Sequence, residues 1–307
     1  MRVLVTGGSG FIGRWVVKAL EARGDIPVAY DRLRFRADGG LPLAERVLGD
    51  VRDPVFVSES VALCDGVIHL AGVLGTQETI QYPTPAVETN ITGSLNVFEA
   101  CTRYRTPCVY ITVGNHWMQN PYSITKTTAE RFAHMYNQER GAQISIVRAL
   151  NAYGPGQKTA PVRKIIPTFI QQALKGGPIE IYGDGTQVMD LIYVEDLADI
   201  LVRALGKPAA WGEVYSAGTG RPTTVNEIAE AVWGACGQPL PLGGVLRHLP
   251  MRPGEPPQSV VVGDPQTLSP LFLKGPQRLT SLTPLDFLPL AEGLQRTVAY
   301  YRERPGA

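Results

Sequence analysis

Short apolar runs alternate with longer helix-like stretches through the first half of the chain. The runs Arg2–Thr6, Pro27–Asp31, Arg46–Asp50, Val67–Ala71, Cys108–Val113 and Ile144–Leu150 predict strands. The stretches Phe11–Arg23, Val55–Cys64, Thr92–Tyr104 and Tyr122–Arg140 predict the helices between them. Strand–helix alternation of this kind builds parallel βαβ units. The strands are near-continuously apolar, which fits a sheet covered on both faces. Right-handed crossovers then give an α/β fold with a doubly wound parallel sheet.

The pattern breaks at Gly154-Pro155-Gly156. Shorter elements follow, with Gly-Asp-Gly at 183–185 and proline-rich segments across 239–257. This part reads as a smaller, loop-rich lobe. Asp190–Leu205 reads as a strand and helix that return to the first domain. The expected division is 1–151 plus about 188–217 for the first domain, and 152–187 plus 218–307 for a discontinuous C-terminal lobe.

Composition narrows the class without naming a chemistry. A chain of 307 residues accommodates one large domain or two modest ones. Apolar residues at 44% and charged residues at 19% are ordinary for a soluble enzyme. A net charge of +1 gives no argument for nucleic acid or an anionic membrane as partner. Cys64, Cys101, Cys108 and Cys236 lack a Cys-x-x-Cys spacing and are expected as reduced thiols of a cytoplasmic protein. No apolar run approaches the ~18 residues of a membrane span. Met1 leads almost at once into a strand, with no charged-then-apolar leader.

Two motifs carry chemistry. The first is Thr6-Gly7-Gly8-Ser9-Gly10-Phe11-Ile12-Gly13, a Gly-x-x-Gly-x-x-Gly turn between the first strand and the first helix. Glycines let the backbone turn sharply and let a pyrophosphate approach main-chain N–H groups at a helix N-terminus. Asp31 ends the second strand, where a carboxylate accepts hydrogen bonds from ribose hydroxyls and repels a 2′-phosphate. That favours NAD over NADP. Arg32 adjoins it, and Arg32, Arg34 and Arg36 read as a solvated loop rather than a phosphate seat. Asp50 and Val51 end the third strand at the place where adenine would lie.

The second motif is Tyr122-Ser-Ile-Thr-Lys126, which puts a phenol and an ammonium on one face of a helix. A phenol near pKa 10 is a poor base. A neighbouring ammonium and a positive nicotinamide ring are expected to favour the phenolate. Tyr122 then takes a proton from an alcohol whose hydride leaves for the nicotinamide. His69 reads as structural. His116, His134 and His248 show no ligand spacing, so no metal is expected. Glu78 and Gln77 follow the fourth strand and are candidates to touch a substrate.

With these residues in place, the chain resembles the extended short-chain dehydrogenase/reductase family, in its nucleotide-sugar epimerase and dehydratase branch. The resemblance spans nearly the whole length. It rests on the glycine turn, Asp50-Val51-Arg52-Asp53, His69-Leu70-Ala71-Gly72, Asn90 with Gly93, and Tyr122 with Lys126. It continues through Arg148-Ala-Leu-Asn151-Ala-Tyr-Gly-Pro-Gly156, Tyr193-Val-Glu-Asp196 and Arg252-Pro-Gly-Glu255. It implies a Rossmann domain that binds NAD through Gly7, Gly10, Phe11, Ile12, Gly13, Asp31, Arg32, Asp50, Val51, Leu70, Ala71, Gly72 and Lys126. It implies oxidation of a sugar C4 hydroxyl followed by reduction or further chemistry. Asn151 resembles the residue that meets the nucleotide diphosphate, and Arg252 the arginine that reaches its phosphates. Pairing through Ala86–Tyr104 and Tyr122–Arg140 would make a homodimer.

The chain also departs from the pattern. Family members carry a Ser or Thr after the fifth strand, well upstream of the tyrosine. Here only ten positions separate Thr112 from Tyr122. Thr112 is the candidate hydroxyl. Val113 is an alternative alignment, Asn115 or His116 are replacement donors, and Trp117 could line the pocket. Val113-Gly114 lacks the acidic pair of the 4,6-dehydratases, and Gly156 stands where a decarboxylase would carry arginine. Met189 stands where the branch has an arginine before Asp190, leaving Arg163, Lys164 or Arg252 to hold the diphosphate. The expected activity is an NAD-dependent 4-epimerase of a UDP-hexose or UDP-hexuronic acid. Its rivals are a dehydratase or decarboxylase, an NAD(P)H-dependent reductase, and a dinucleotide sensor without catalysis.

Overall fold

A computed structural model describes residues 1–33, 45–239, 245–272 and 286–304. The first domain is built on strands β1 (Arg2–Thr6), β2 (Ile26–Asp31), β3 (Glu45–Leu48), β4 (Gly66–His69), β5 (Cys108–Val113) and β6 (Ile144–Ala149). The shorter strands β7 (Asn151–Tyr153), β8 (Ile179–Tyr182), β9 (Val188–Met189) and β10 (Leu191–Tyr193) follow. The last are β11 (Val214–Ala217), β12 (Thr223–Thr224), β13 (Leu246–Leu249) and β14 (Val260–Val261). The central sheet has seven strands in the order β11-β6-β5-β4-β1-β2-β3, and every pairing in it is parallel. The order reverses between β1 and β4, which opens a crevice at the carboxyl ends of those strands.

Side chains alternate between two cores. Val3 and Val5 of β1 enter the first core, whereas Leu4 enters the second. In β5, Val109 and Ile111 face the first core, while Cys108 and Tyr110 face the second. Helices α1 (Phe11–Ala22) and α7 (Val194–Leu205) contribute to the first core. Helices α2 (Pro54–Ala62), α4 (Gly93–Tyr104) and α5 (Pro121–Arg140) contribute to the second.

The third strand ends at Leu48, so Asp50 and Val51 follow it rather than end it, and two further expected boundaries move for physical reasons. The fourth strand ends at His69 rather than Ala71: the Leu70 N–H still reaches the Thr6 carbonyl at 3.1 Å, but the Ala71 N–H donates to Thr6 Oγ1 at 3.2 Å. Helix α4 does not begin freely near Thr92. A short α3 (Thr84–Ala86) and a π-helical segment Val87–Thr92 lead directly into it. The widened turn buries Asn90, whose amide accepts from Val73 N–H at 2.7 Å and donates to Val73 O and Thr125 Oγ1, each at 3.0 Å.

A third core holds the smaller lobe. It joins Tyr153, Leu191 and Tyr193 to helices α6 (Ile165–Leu174), α8 (Val225–Ala235) and α10 (Leu290–Glu303). Strand β10 splits its side chains: Ile192 enters the first core, whereas Leu191 and Tyr193 enter the third. Leu268 and the Leu271 of α9 (Ser269–Phe272) also pack in the first core, although the expected division put 218–307 wholly in the lobe. Apolar side chains beside α7 draw them there. All four cysteines are free thiols. No helix of the described residues is long and apolar enough to cross a membrane.

Candidate active site

The glycine turn lies at the carboxyl end of β1. Gly7 has φ +72 and its N–H donates to the Tyr30 carbonyl at 2.8 Å. A Cβ on Gly13 would stand 2.3 Å from Gly7 O, and one on Gly7 would stand 2.9 Å from Ala71 N. Bare backbone therefore lines the turn, with Leu70, Ala71 and Gly72 beside it. Helix α1 starts at Gly10 with no side-chain cap, and Phe11 and Ile12 form its first turn. Its leading N–H groups suit a pyrophosphate.

Asp31 sits over this turn. Its carboxylate accepts from the Ser9 N–H at 3.2 Å, from the Ser9 hydroxyl, and from the Leu33 N–H at 3.0 Å. Arg32 is exposed, and Arg34 and Arg36 lie outside the described residues. Asp50 pairs with Arg52 at 2.7 Å, and that guanidinium holds its carboxyl below the ordinary value. Val51 is buried and its carbonyl accepts from Asn96 at 3.0 Å. The bare cradle and the carboxylate at the second strand's end fit a dinucleotide with free ribose hydroxyls.

Asn120 caps α5 by accepting from the Ser123 N–H at 3.0 Å, and Pro121 fits the first helical position. Tyr122, Lys126 and Glu130 then recur at intervals of four along one face. Lys126 is 3% exposed, with its ammonium 4.3 Å from the Tyr110 ring centroid. The Tyr110 hydroxyl donates to the Lys126 carbonyl at 3.1 Å. Behind it His69 stacks on Tyr110 at 5.7 Å and bridges Thr6 Oγ1 at 2.7 Å and Ser94 Oγ at 3.0 Å. Burial, with the Lys126 charge adding, pushes the His69 imidazole down to about 3, so it stays neutral. Glu130 is 3% exposed and takes the Arg148 guanidinium through both carboxylate oxygens.

The expected phenolate rests on the ammonium together with a positive nicotinamide ring. Within the chain alone, burial pushes Tyr122 up to about 12. Burial also pushes Lys126 down to about 7, against the opposing pull of Glu130. Desolvation of both groups outweighs any mutual help. The protein's own groups thus hold a neutral phenol at physiological pH.

Thr112 is buried, and its hydroxyl donates to the Lys126 carbonyl at 3.3 Å. In this arrangement the hydroxyl braces α5 rather than pointing freely outward. Val113 is buried and has no side-chain donor. Asn115 Nδ2 meets Met118 Sδ at 3.2 Å, His116 Nδ1 lies 3.2 Å from Gly114 O, and Trp117 is exposed.

The residues expected to hold substrate gather from separate segments. Arg252 pairs with Glu255 at 2.6 Å and lies 4.9 Å from the Tyr182 ring centroid. Lys164, just before α6, feels Glu78, Arg252 and Glu255, and burial dominates in pushing its ammonium pKa down. Arg163 Nη1 reaches the Tyr182 hydroxyl at 3.5 Å. Asn151 stands apart from this group, with its amide donating to Asp190 O at 3.3 Å. Asp190 is fully buried and accepts from Thr219 N–H, Thr219 Oγ1, Gly220 N–H and Gly263 N–H at 2.6–3.0 Å. Its carboxylate knots three loops. Met189 pairs with Thr223 and Val261 in a small sheet.

Tyr110, Asn120, Glu130 and Asp190 were not singled out from sequence. Two had a readable signal: Glu130 continues the Tyr122–Lys126 face, and Tyr110 shares a strand face with Thr112. Among the described residues, no three His, Cys, Asp or Glu side chains are placed to hold a metal ion.

The model of the NAD dependent epimerase/dehydratase family matches residues 3–218. A dTDP-glucose 4,6-dehydratase of Streptomyces antibioticus is 31% identical over 266 residues, 77% of this chain and 78% of that protein. A UDP-glucose 4-epimerase of Mycolicibacterium smegmatis is 30% identical over 263 residues, 78% of this chain and 84% of that protein. The crystal structure of the UDP-glucose 4-epimerase of Thermus thermophilus in complex with NAD has a TM-score of 0.83 at 27% identity, covering 99% of this chain and 100% of that one. Matched over most of its length and carrying the cradle and the Tyr122–Lys126 face, the chain belongs to the NAD dependent epimerase/dehydratase family of the extended short-chain dehydrogenases, and NAD is its cofactor.

Proposed function

We propose that the protein is a nucleotide-sugar 4-epimerase acting on a UDP-hexose or UDP-hexuronic acid. The observation that carries this reading is a half-buried Tyr122 and a buried Lys126 on one helix face beside a stretch, Val113 to Gln119, that holds no carboxylate. Elimination or decarboxylation needs an acid there; epimerisation needs only a proton carrier and a hydride carrier.

NAD, held by the Gly7–Gly13 turn and Asp31, would supply a hydride acceptor that also returns the hydride. In its phenolate form, Tyr122 would take the C4 hydroxyl proton as C4 is oxidised to the ketone. Tyr122 would give the proton back when the ketone is reduced on its other face. Lys126 supplies charge beside the phenol. Thr112 fixes the α5 backbone through the Lys126 carbonyl. Asn151, Lys164, Glu78 and Arg252 hold the nucleotide diphosphate and sugar. The working form is a cytoplasmic homodimer.

Purified protein supplied separately with UDP-glucose, UDP-glucuronate and UDP-N-acetylglucosamine is expected to form the C4 epimer of one of them. Failure with all three refutes the substrate assignment. The Tyr122→Phe variant keeps NAD and loses roughly 10²–10⁴-fold in turnover; a near-wild-type rate removes the role given to the phenol. Dehydration is the competing reading, favoured by a dehydratase relative at comparable identity. A 4-keto-6-deoxy product absorbing in alkali would establish it.

A further inference from the structure

We propose that Asn120 is a positioning residue that ties the Arg252 loop of the smaller lobe to the Tyr122 helix, coupling phosphate grip to placement of the phenol. The inference rests on the reading of Arg252 as a phosphate-binding residue.

Asn120 is fully buried, two residues before Tyr122. Its side chain faces two ways. Oδ1 accepts from the Ser123 N–H at 3.0 Å and fixes the first turn of α5. Nδ2 donates to the Gly254 carbonyl at 3.3 Å, across the boundary between the lobes. The first bond requires the amide oxygen to face the helix, so the amide nitrogen faces Gly254.

The Gly254 side is built to be approached. Gly254 has φ +80, and a Cβ there would stand 2.9 Å from Ile80 Cδ1 and 3.4 Å from both Asn120 Cβ and Thr76 O. A side chain there would be strained at this φ and would have to displace the end of Ile80. A second bond crosses nearby, from Thr76 Oγ1 to Glu255 Oε1 at 2.9 Å. Glu255 also pairs with Arg252 at 2.6 Å. A phosphate that draws Arg252 away from Glu255 therefore shifts a loop whose backbone is bonded to Asn120. Any movement of that loop reaches the first turn of α5, where Tyr122 sits.

The test uses NAD-loaded wild type, Asn120→Ser and Asn120→Ala. Serine keeps a cap acceptor for Ser123 but is too short to reach the Gly254 carbonyl; alanine loses both. The serine variant is expected to unfold near the wild-type temperature, and the alanine variant below it. With the UDP-sugar that is turned over, Asn120→Ser lowers kcat by about five- to tenfold, the factor of one hydrogen bond, while KM moves by less than about twofold. Hydrogen exchange of the amides at 122–125 is then followed with and without UDP. UDP slows exchange there in the wild type and fails to do so in Asn120→Ser. This arm needs no turnover, so a wild type that epimerises nothing ends the proposed function while exchange still judges the tie. Protection by UDP that persists in Asn120→Ser, or that is missing from the wild type, overturns the proposal.

Discussion

Replacing Lys126 with methionine removes a charge from a site that is 3% exposed and keeps an unbranched side chain of similar length. Burial lowers the lysine pKa from 10.5 to about 7. At ~1.36 kcal/mol per unit, the folded chain binds this proton about 5 kcal/mol less tightly than the unfolded chain. The sign follows from proton counting. Above roughly pH 10.5 both states hold neutral lysine and no penalty exists. As pH falls, the unfolded chain protonates first, and the wild type loses about 1.4 kcal/mol per unit until the folded lysine also protonates near 7. Below that the penalty is constant. Loss of the contact with the Tyr110 ring returns about 0.5–2 kcal/mol. Lys126→Met is therefore expected to be inactive and more stable than wild type by roughly 3 kcal/mol at pH 7, with the gap closing toward pH 10. Urea unfolding of both proteins at unit pH steps, after removal of NAD, measures the gap directly. A gap that does not change with pH, or a variant less stable at pH 7, refutes the reasoning.

Three further outcomes follow from contacts elsewhere. Gly13→Ala places a methyl 2.3 Å from Gly7 O, so NAD affinity, read by fluorescence titration, is expected to fall by at least about a hundredfold. Arg148→Met strands the buried Glu130 carboxylate and should destabilise by about 3–5 kcal/mol in denaturant unfolding. Adding Glu130→Gln should recover much of that loss, and a purely additive double variant would deny the coupling. Asp190→Asn turns one of two acceptor oxygens into a donor facing N–H groups, and is expected to cost about 2–4 kcal/mol of stability by thermal or urea unfolding.

The sheet was legible because each strand's composition reports covering on both faces. β1 and β5 have the bounds read from sequence. What stayed hidden depended on single side chains meeting across long separations. Beyond the end of β4, the Ala71 N–H goes to a side-chain hydroxyl, Thr6 Oγ1. The π-helical turn before α4 comes from one amide, Asn90. Leu268 and Leu271 look like ordinary lobe residues until α7 is in place beside them. In the active site, the tyrosine–lysine spacing was plain. The protonation state was not, because burial by β5 and the residues behind it sets that balance. Thr112 was readable as a hydroxyl near the site, but its partner, a main-chain carbonyl one helix away, was not.

The third core has a temporal consequence. It gathers Tyr153, α6, α8 and α10, so its pieces leave the ribosome far apart in time. The sheet of the first domain is complete once β11 has been made, and can assemble as a unit during synthesis. The lobe cannot close until α10 arrives, when Gly293 comes against the Tyr153 ring. A nascent chain thus passes through a stage with a finished nucleotide cradle and an apolar lobe still open. A chaperone that binds exposed apolar surface would be expected to recognise that stage and to release the chain once α10 has docked.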